Sequence, residues 1–125
     1  MNLLLDTHIL LWWLADSPEL DQAPKEAIGD RENVVFISAA SLWEIMIKKA
    51  LGKLDLPDEF EAVVSQEPFL HLEVSAAHAF MVGRLPPHHR DPFDRMLIAQ
   101  ALVEGLTLVT ADPFIRKYEV PVLHA

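Results

Sequence analysis

The chain has 125 residues and carries 51% hydrophobic residues. That is enough apolar content for one full core over residues 1–125, with no room for a second domain, and it excludes a disordered chain. There is no cysteine, so disulfides and thiolate metal sites are excluded, as suits a reducing cytoplasm. The formal net charge of -9 argues on its face against a nucleic-acid partner, although acids gathered round divalent cations do not present bare charge, and a basic partner can offset them.

In chain order, Asn2–Leu5 is a short apolar run that suits a strand buried on both faces. His8–Ala15 follows as a helix. Asp6 and His8 interrupt the apolar N-terminus early and no basic segment precedes it, so it reads as neither a signal peptide nor a membrane span. Pro24–Asp30 is a weaker helix, and Asn33–Ile37 is β-branched and aromatic, hence a strand. Ser38 caps a helix to about Leu51 that Gly52 ends. Pro57–Gln66 reads as a short helix, Phe69–Val74 as a strand and Ser75–Arg84 as a helix. The two prolines of Leu85–Arg90 make it a loop. Pro92–Glu104 is a helix closed by Gly105; Leu106–Thr110 is a strand, Pro113–Tyr118 a short helix and Pro121–Leu123 a last strand. This alternation predicts an α/β domain of three layers, with helices on both faces of a central parallel sheet. Ligands of such sheets lie at the carboxyl ends of the strands.

Acids stand where that rule directs attention. Asp6 directly follows the first strand, and Asp112 comes two residues after Thr110. Each has a competing reading as the cap of the next helix. Glu44 shares a polar stripe with Ser41 and Lys48 on an otherwise apolar helix. The plain alternative there is a solvated stripe with a Glu44–Lys48 pair, worth a few tenths of a kcal/mol. Asp94 projects among Leu97, Ile98 and Ala101 on a helix apolar nearly all round, and a carboxylate there needs a partner or a cation. Asp91 reads as that helix's N-cap, with Pro92 in first position. Asp6, Glu44, Asp94 and Asp112 together would form an oxygen-donor set suited to Mg²⁺ or Mn²⁺, whose chemistry is phosphodiester hydrolysis. Thr7 and Thr110, beside two of these acids, are candidates to hydrogen-bond them.

The segments LLLDT, SLWEI, DPFDRMLIAQA and GLTLVTADP, in that order over nearly the whole chain, resemble the PIN domain family, and within it the VapC-type toxins of type II toxin–antitoxin pairs. The resemblance implies an endoribonuclease dependent on Mg²⁺ or Mn²⁺, held inactive by a VapB-like antitoxin, usually a homodimer, and cytoplasmic. It implies Asp6, Glu44 and Asp94 as core acids and Asp112 as a more variable fourth, with Asp91 competing for the third place. Lys48, His88, His89, Arg90 and Arg95 are candidate RNA contacts, the plain alternative for the two histidines being a solvated loop. His8 reads as packing or capping and His71 as structural. Trp12, Trp13 and Trp43 read mainly as core. Rival readings are an inactive PIN fold, a receiver-like acidic module and an aspartyl-phosphate enzyme. The last wants a second Asp two residues after Asp6, where His8 stands, and a receiver wants a Lys after the Leu106–Thr110 strand.

Overall fold

In the computed structural model, which describes residues 1–125, five strands form one sheet in the order β3-β2-β1-β4-β5. They are β1 (Asn2–Leu5), β2 (Val34–Ser38), β3 (Leu70–Leu72), β4 (Thr107–Thr110) and β5 (Val122–His124), and every pairing is parallel. The helices are α1 (Thr7–Leu14), α2 (Gln22–Gly29), α3 (Ala39–Ala50), α4 (Phe60–Ser65), α5 (Ala76–Val82) and α6 (Pro92–Glu104). The expected three-layer α/β arrangement is therefore present.

Strand alternation divides the core. Leu3 and Leu5 of β1 point to one face, where they pack with Ile9, Leu10, Ile28, Ile45, Phe60 and Val64 from α1 to α4. Leu4 points to the other, against Leu97, Ile98 and Ala101 of α6. β1 is thus buried on both sides, as its continuous apolar sequence requires. No helix is long and apolar enough to cross a membrane.

Four expected elements are markedly shorter than their sequence windows. The 69–74 strand pairs only over Leu70–Leu72. The 57–66 helix begins only at Phe60, with no side-chain cap at its start. The 75–84 helix stops at Val82, before Gly83, although Ser75 caps it as expected. The 113–118 segment makes a 3-10 turn over Ile115–Lys117 and no α-helix.

The topology sets the position of the site. β1 lies between β2 and β4, so the chain runs outward from β1 in both directions along the sheet. The crevice at the carboxyl ends of β1 and β4 is the switch point, and Asp6 and Asp112 stand on its two sides.

Candidate metal centre

Asp6, Asp94 and Asp112 are delivered by the start of a helix or by the segment leaving a strand, and Glu44 by the middle of α3. Asp6 leaves β1 and is the N-cap of α1: its Oδ1 accepts the Ile9 N–H at 2.8 Å. Its Oδ2 accepts a hydrogen bond from the Thr110 hydroxyl. Capping and site membership therefore coexist in one carboxylate. Burial pushes the Asp6 carboxyl up, against the opposing effect of those two hydrogen bonds and of His8, while nearby Asp112 adds to the rise.

Glu44 corrects the solvated-stripe reading. It is buried, with Oε1 accepting from Thr7 Oγ1 at 2.7 Å and Oε2 paired to Lys48 Nζ at 2.7 Å. Ser41, one turn earlier, is also buried, and its hydroxyl has no partner in the protein. The polar side of α3 faces inward, while Trp43 is 64% exposed and rests edge-on against Phe93, 5.4 Å between ring centroids. Trp12 and Trp13 do pack against the core, as expected. The Glu44–Lys48 pair exists, so Lys48 is engaged by an acid.

Asp91 and Asp94 divide the work at the start of α6. Asp91 Oδ1 accepts the N–H groups of Phe93 at 2.8 Å and Asp94 at 3.1 Å, which makes Asp91 the N-cap. The Asp94 carboxylate is released to face the crevice. It lines a cleft of about 290 Å³ with Asp6, His8, Trp12, Ala111 and Asp112. Burial raises its pKa from 3.8 to about 7, helped by Asp91, Asp6 and Glu44 and opposed by His89. Asp112 completes the set: Oδ1 accepts the Phe114 N–H at 2.8 Å, and its own N–H reaches Thr110 Oγ1 at 3.0 Å.

His89 is not the solvated loop residue that LPPHHR suggests. Its Nε2 is 2.8 Å from Asp112 Oδ2 and 3.0 Å from Asp94 Oδ2, with the side chain only 13% exposed. One ligand-capable atom each from His89, Asp94 and Asp112 lies within 4.8 Å of the others. The loop is held there by two residues. Arg95 donates to the carbonyls of Pro86 and Val82, both at 3.0 Å, with longer contacts to those of Leu85 and His89. Tyr118, a contributor that the sequence does not announce, accepts the His89 N–H at 2.9 Å and donates to the Pro86 carbonyl at 2.8 Å. Arg95 is thereby engaged by the carbonyls of the loop. His88 and Arg90 flank His89 in the loop and are exposed, and His88 lies edge-on to Tyr118. His8 is exposed at the cleft rim, and His71, expected to be structural, is exposed on the edge strand β3.

The donor set suits a hard divalent ion. It offers carboxylate oxygens in a largely buried cleft, and burial together with neighbouring acids raises the pKa of Asp6 and Asp94. A cation would relieve that repulsion, and Lys48 reaches only Glu44.

Comparison with known proteins agrees with this geometry. The family model described as PIN domain matches residues 3–120. The chain belongs to the PIN domain family. A relative named Ribonuclease VapC22, from Mycobacterium tuberculosis, is 27% identical over 123 residues, covering 96% of this chain and 94% of that protein. Among solved structures, VapBC2 from Rickettsia felis bound to a DNA fragment from its promoter superposes with a TM-score of 0.76 at 18% identity, covering 99% of this chain and 98% of that one. VapBC-1 from nontypeable Haemophilus influenzae gives 0.70 at 18% identity with the same coverages. At such identity these structures establish the PIN fold and nothing finer.

Proposed function

We propose that this PIN domain is a divalent-metal-dependent endoribonuclease, the toxin half of a VapBC-type toxin–antitoxin pair. The observation that carries the reading is the convergence of Asp6, Asp94 and Asp112 on one cleft at the carboxyl edge of the sheet, with Glu44 acting electrostatically on Asp94. The name of the 27%-identical relative, a ribonuclease, and the VapBC names of the fold neighbours support it.

Asp6, Glu44, Asp94 and Asp112 would hold the ion. When bound, Mg²⁺ or Mn²⁺ supplies an activated water and positive charge at the phosphodiester. The protein's own part is positional. Thr110 and the Ile9 N–H fix the Asp6 carboxylate, and Thr7 and Lys48 fix that of Glu44. His88 and Arg90, exposed on the clamped loop on either side of His89, would be the basic side chains to meet a phosphate. The same reading includes a VapB-like antitoxin with a basic docking segment suited to the net charge of -9, a homodimer, and a cytoplasmic location. Membership of the PIN family removes the receiver-like and aspartyl-phosphate alternatives and leaves the inactive PIN scaffold as the rival.

The test is cleavage of a structured RNA pool by antitoxin-free protein, with Mg²⁺, with Mn²⁺, with chelator, and with Asp6→Asn. Cuts that need both the ion and Asp6 are expected. Folded protein that leaves every RNA intact, or cuts that persist in Asp6→Asn, would defeat the proposal.

A further inference from the structure

We infer that His89 is the positioning residue of the acid cluster: its Nε2–H holds the Asp112 carboxylate beside Asp94 as a hydrogen-bond donor, and it is not a metal ligand. The inference rests on the metal-site reading above for its consequence, and on hydrogen bonding alone for its geometry.

Distance by itself would make His89 a ligand, since its Nε2 and one oxygen each of Asp94 and Asp112 lie within 4.8 Å of one another. The other ring nitrogen decides otherwise. His89 Nδ1 faces the backbone N–H of Asp91 at 3.1 Å. A backbone N–H can only donate, so Nδ1 must present its lone pair, and the neutral ring then carries its proton on Nε2. A metal-binding Nε2 needs the reverse arrangement, a bare Nε2 with Nδ1–H donating to an acceptor. No acceptor stands at Nδ1.

The neighbouring bonds impose the same direction. Asp91 N–H donates to His89 Nδ1, and His89 Nε2–H donates to Asp112 Oδ2 at 2.8 Å. Asp112 N–H then donates to Thr110 Oγ1 at 3.0 Å, so the Thr110 hydroxyl is free to donate to Asp6 Oδ2. This single-direction chain joins the cap of α6 to the end of β1 by way of β4. It ties Asp112 and Asp6 into one frame, with Asp94 Oδ2 3.0 Å from the same His89 Nε2. Asp112 leaves its strand on a short segment, with its Oδ1 already committed to Phe114 N–H. The His89 contact is what fixes its remaining oxygen toward the cleft. The loop is rigid enough for that role because Arg95 and Tyr118 hold it from behind.

Nitrogen-15 NMR of the imidazoles in metal-free protein, at mildly alkaline pH, reads the tautomer directly. His89 is expected as the Nε2–H form; an Nδ1–H form overturns the inference. Mn²⁺ and Mg²⁺ affinities are then measured by calorimetry on the parent, His89→Gln and His89→Ala, each checked for an unchanged melting profile. Gln keeps an N–H donor near the Nε2 position and lacks an imidazole lone pair. Ala is expected to weaken Mn²⁺ binding about tenfold or more, while Gln retains most of the affinity and the parent's Mn²⁺-to-Mg²⁺ ratio. Equal loss in both variants, with a lowered preference for Mn²⁺, marks a nitrogen ligand and overturns the inference, as does unchanged affinity in Ala. A parent that binds neither ion defeats the proposed function, and the tautomer still decides the His89 contact.

Discussion

Replacing Asp94 by Asn should stabilise the metal-free protein at alkaline pH. The folded protein holds the Asp94 proton up to about pH 7, against 3.8 for an ordinary carboxyl. Between those values the folded state binds more protons than the unfolded state, so stability falls as pH rises and the loss is complete above the folded pKa. A rise of that size corresponds to about 4 kcal/mol. Asn carries no charge and escapes that loss, but it forfeits the attraction of an acid for the helix N-terminus, about 0.3–1 kcal/mol. The helix keeps its cap, because Asp91 supplies it. The net expectation, at about pH 8 in chelator, is a variant more stable than the parent by about 3 kcal/mol, or roughly 10 °C in melting temperature. At about pH 3.5, below both values, the two should nearly coincide. Saturating Mn²⁺ should reverse the order, because an ion at about a thousand times its Kd adds about 4.1 kcal/mol to the parent and little to a variant lacking a ligand. Thermal melts of both proteins across pH, with chelator and with Mn²⁺, carry the test. A parent–variant difference that is flat with pH, or a variant destabilised at every pH, would refute the reasoning and return Asp94 to a structural role.

Asp91→Ala should cost about 1–2 kcal/mol in denaturant unfolding, with Asp91→Ser recovering most of it, because the carboxylate caps two N–H groups of α6. If Asp91→Ala abolishes ion binding without loss of stability, the assignment of cap to Asp91 and site to Asp94 is inverted. Thr110→Val keeps the shape but removes both the donor to Asp6 and the acceptor for the Asp112 N–H; a stability loss of about 1–3 kcal/mol and weaker Mn²⁺ binding are expected in melts and calorimetry. Arg95→Leu releases the 85–90 loop, so trypsin should cut after the exposed Arg90 faster than in the parent while the rest of the chain resists. Equal cutting rates would show that Tyr118 alone holds the loop.

The fold was legible where local chemistry and tertiary packing agree. α6 begins at Pro92 and ends at Glu104, where its sequence placed it, because Asp91-Pro92 opens it and Gly105 closes it in a left-handed conformation, φ 69°, that costs a residue without Cβ nothing. β1 was equally plain, since a strand buried on both faces leaves an unbroken apolar run. The misjudged elements lack such agreement. In 113–118 the Asp112 side chain does cap Phe114, but Pro121 and the need to enter β5 leave room for only a 3-10 turn. On α3, periodicity distinguishes a polar stripe from an apolar one without saying which faces inward. Here the polar stripe faces inward, because Glu44 is answered by Thr7 from the neighbouring helix and by Lys48 from its own. Trp43 is left outside as the consequence.

The same limit governs the site. Asp6 and Asp112 could be placed from sequence because a parallel sheet brings the residues after its strands to one edge, whatever they are, and Asp94 because a carboxylate among Leu97, Ile98 and Ala101 on a helix apolar nearly all round needs a partner or a cation. His89 could not be placed in that way. Its position depends on Arg95 and on Tyr118, 29 residues further along the chain, and a two-proline loop carries no periodicity to announce either. Nor does composition show that an imidazole lies between two acids; only the direction of the hydrogen bonds does, and that direction originates in the backbone N–H of Asp91. The residue whose sequence role looked purely local, the cap of α6, therefore orients the histidine as well as the helix. Substituting Asp91 should then disturb the site through its backbone only if the capping turn itself moves. Asp91→Asn, which keeps a capping oxygen, should leave the His89 tautomer unchanged, whereas Asp91→Pro, which deletes the N–H, should free Nδ1 to take the proton.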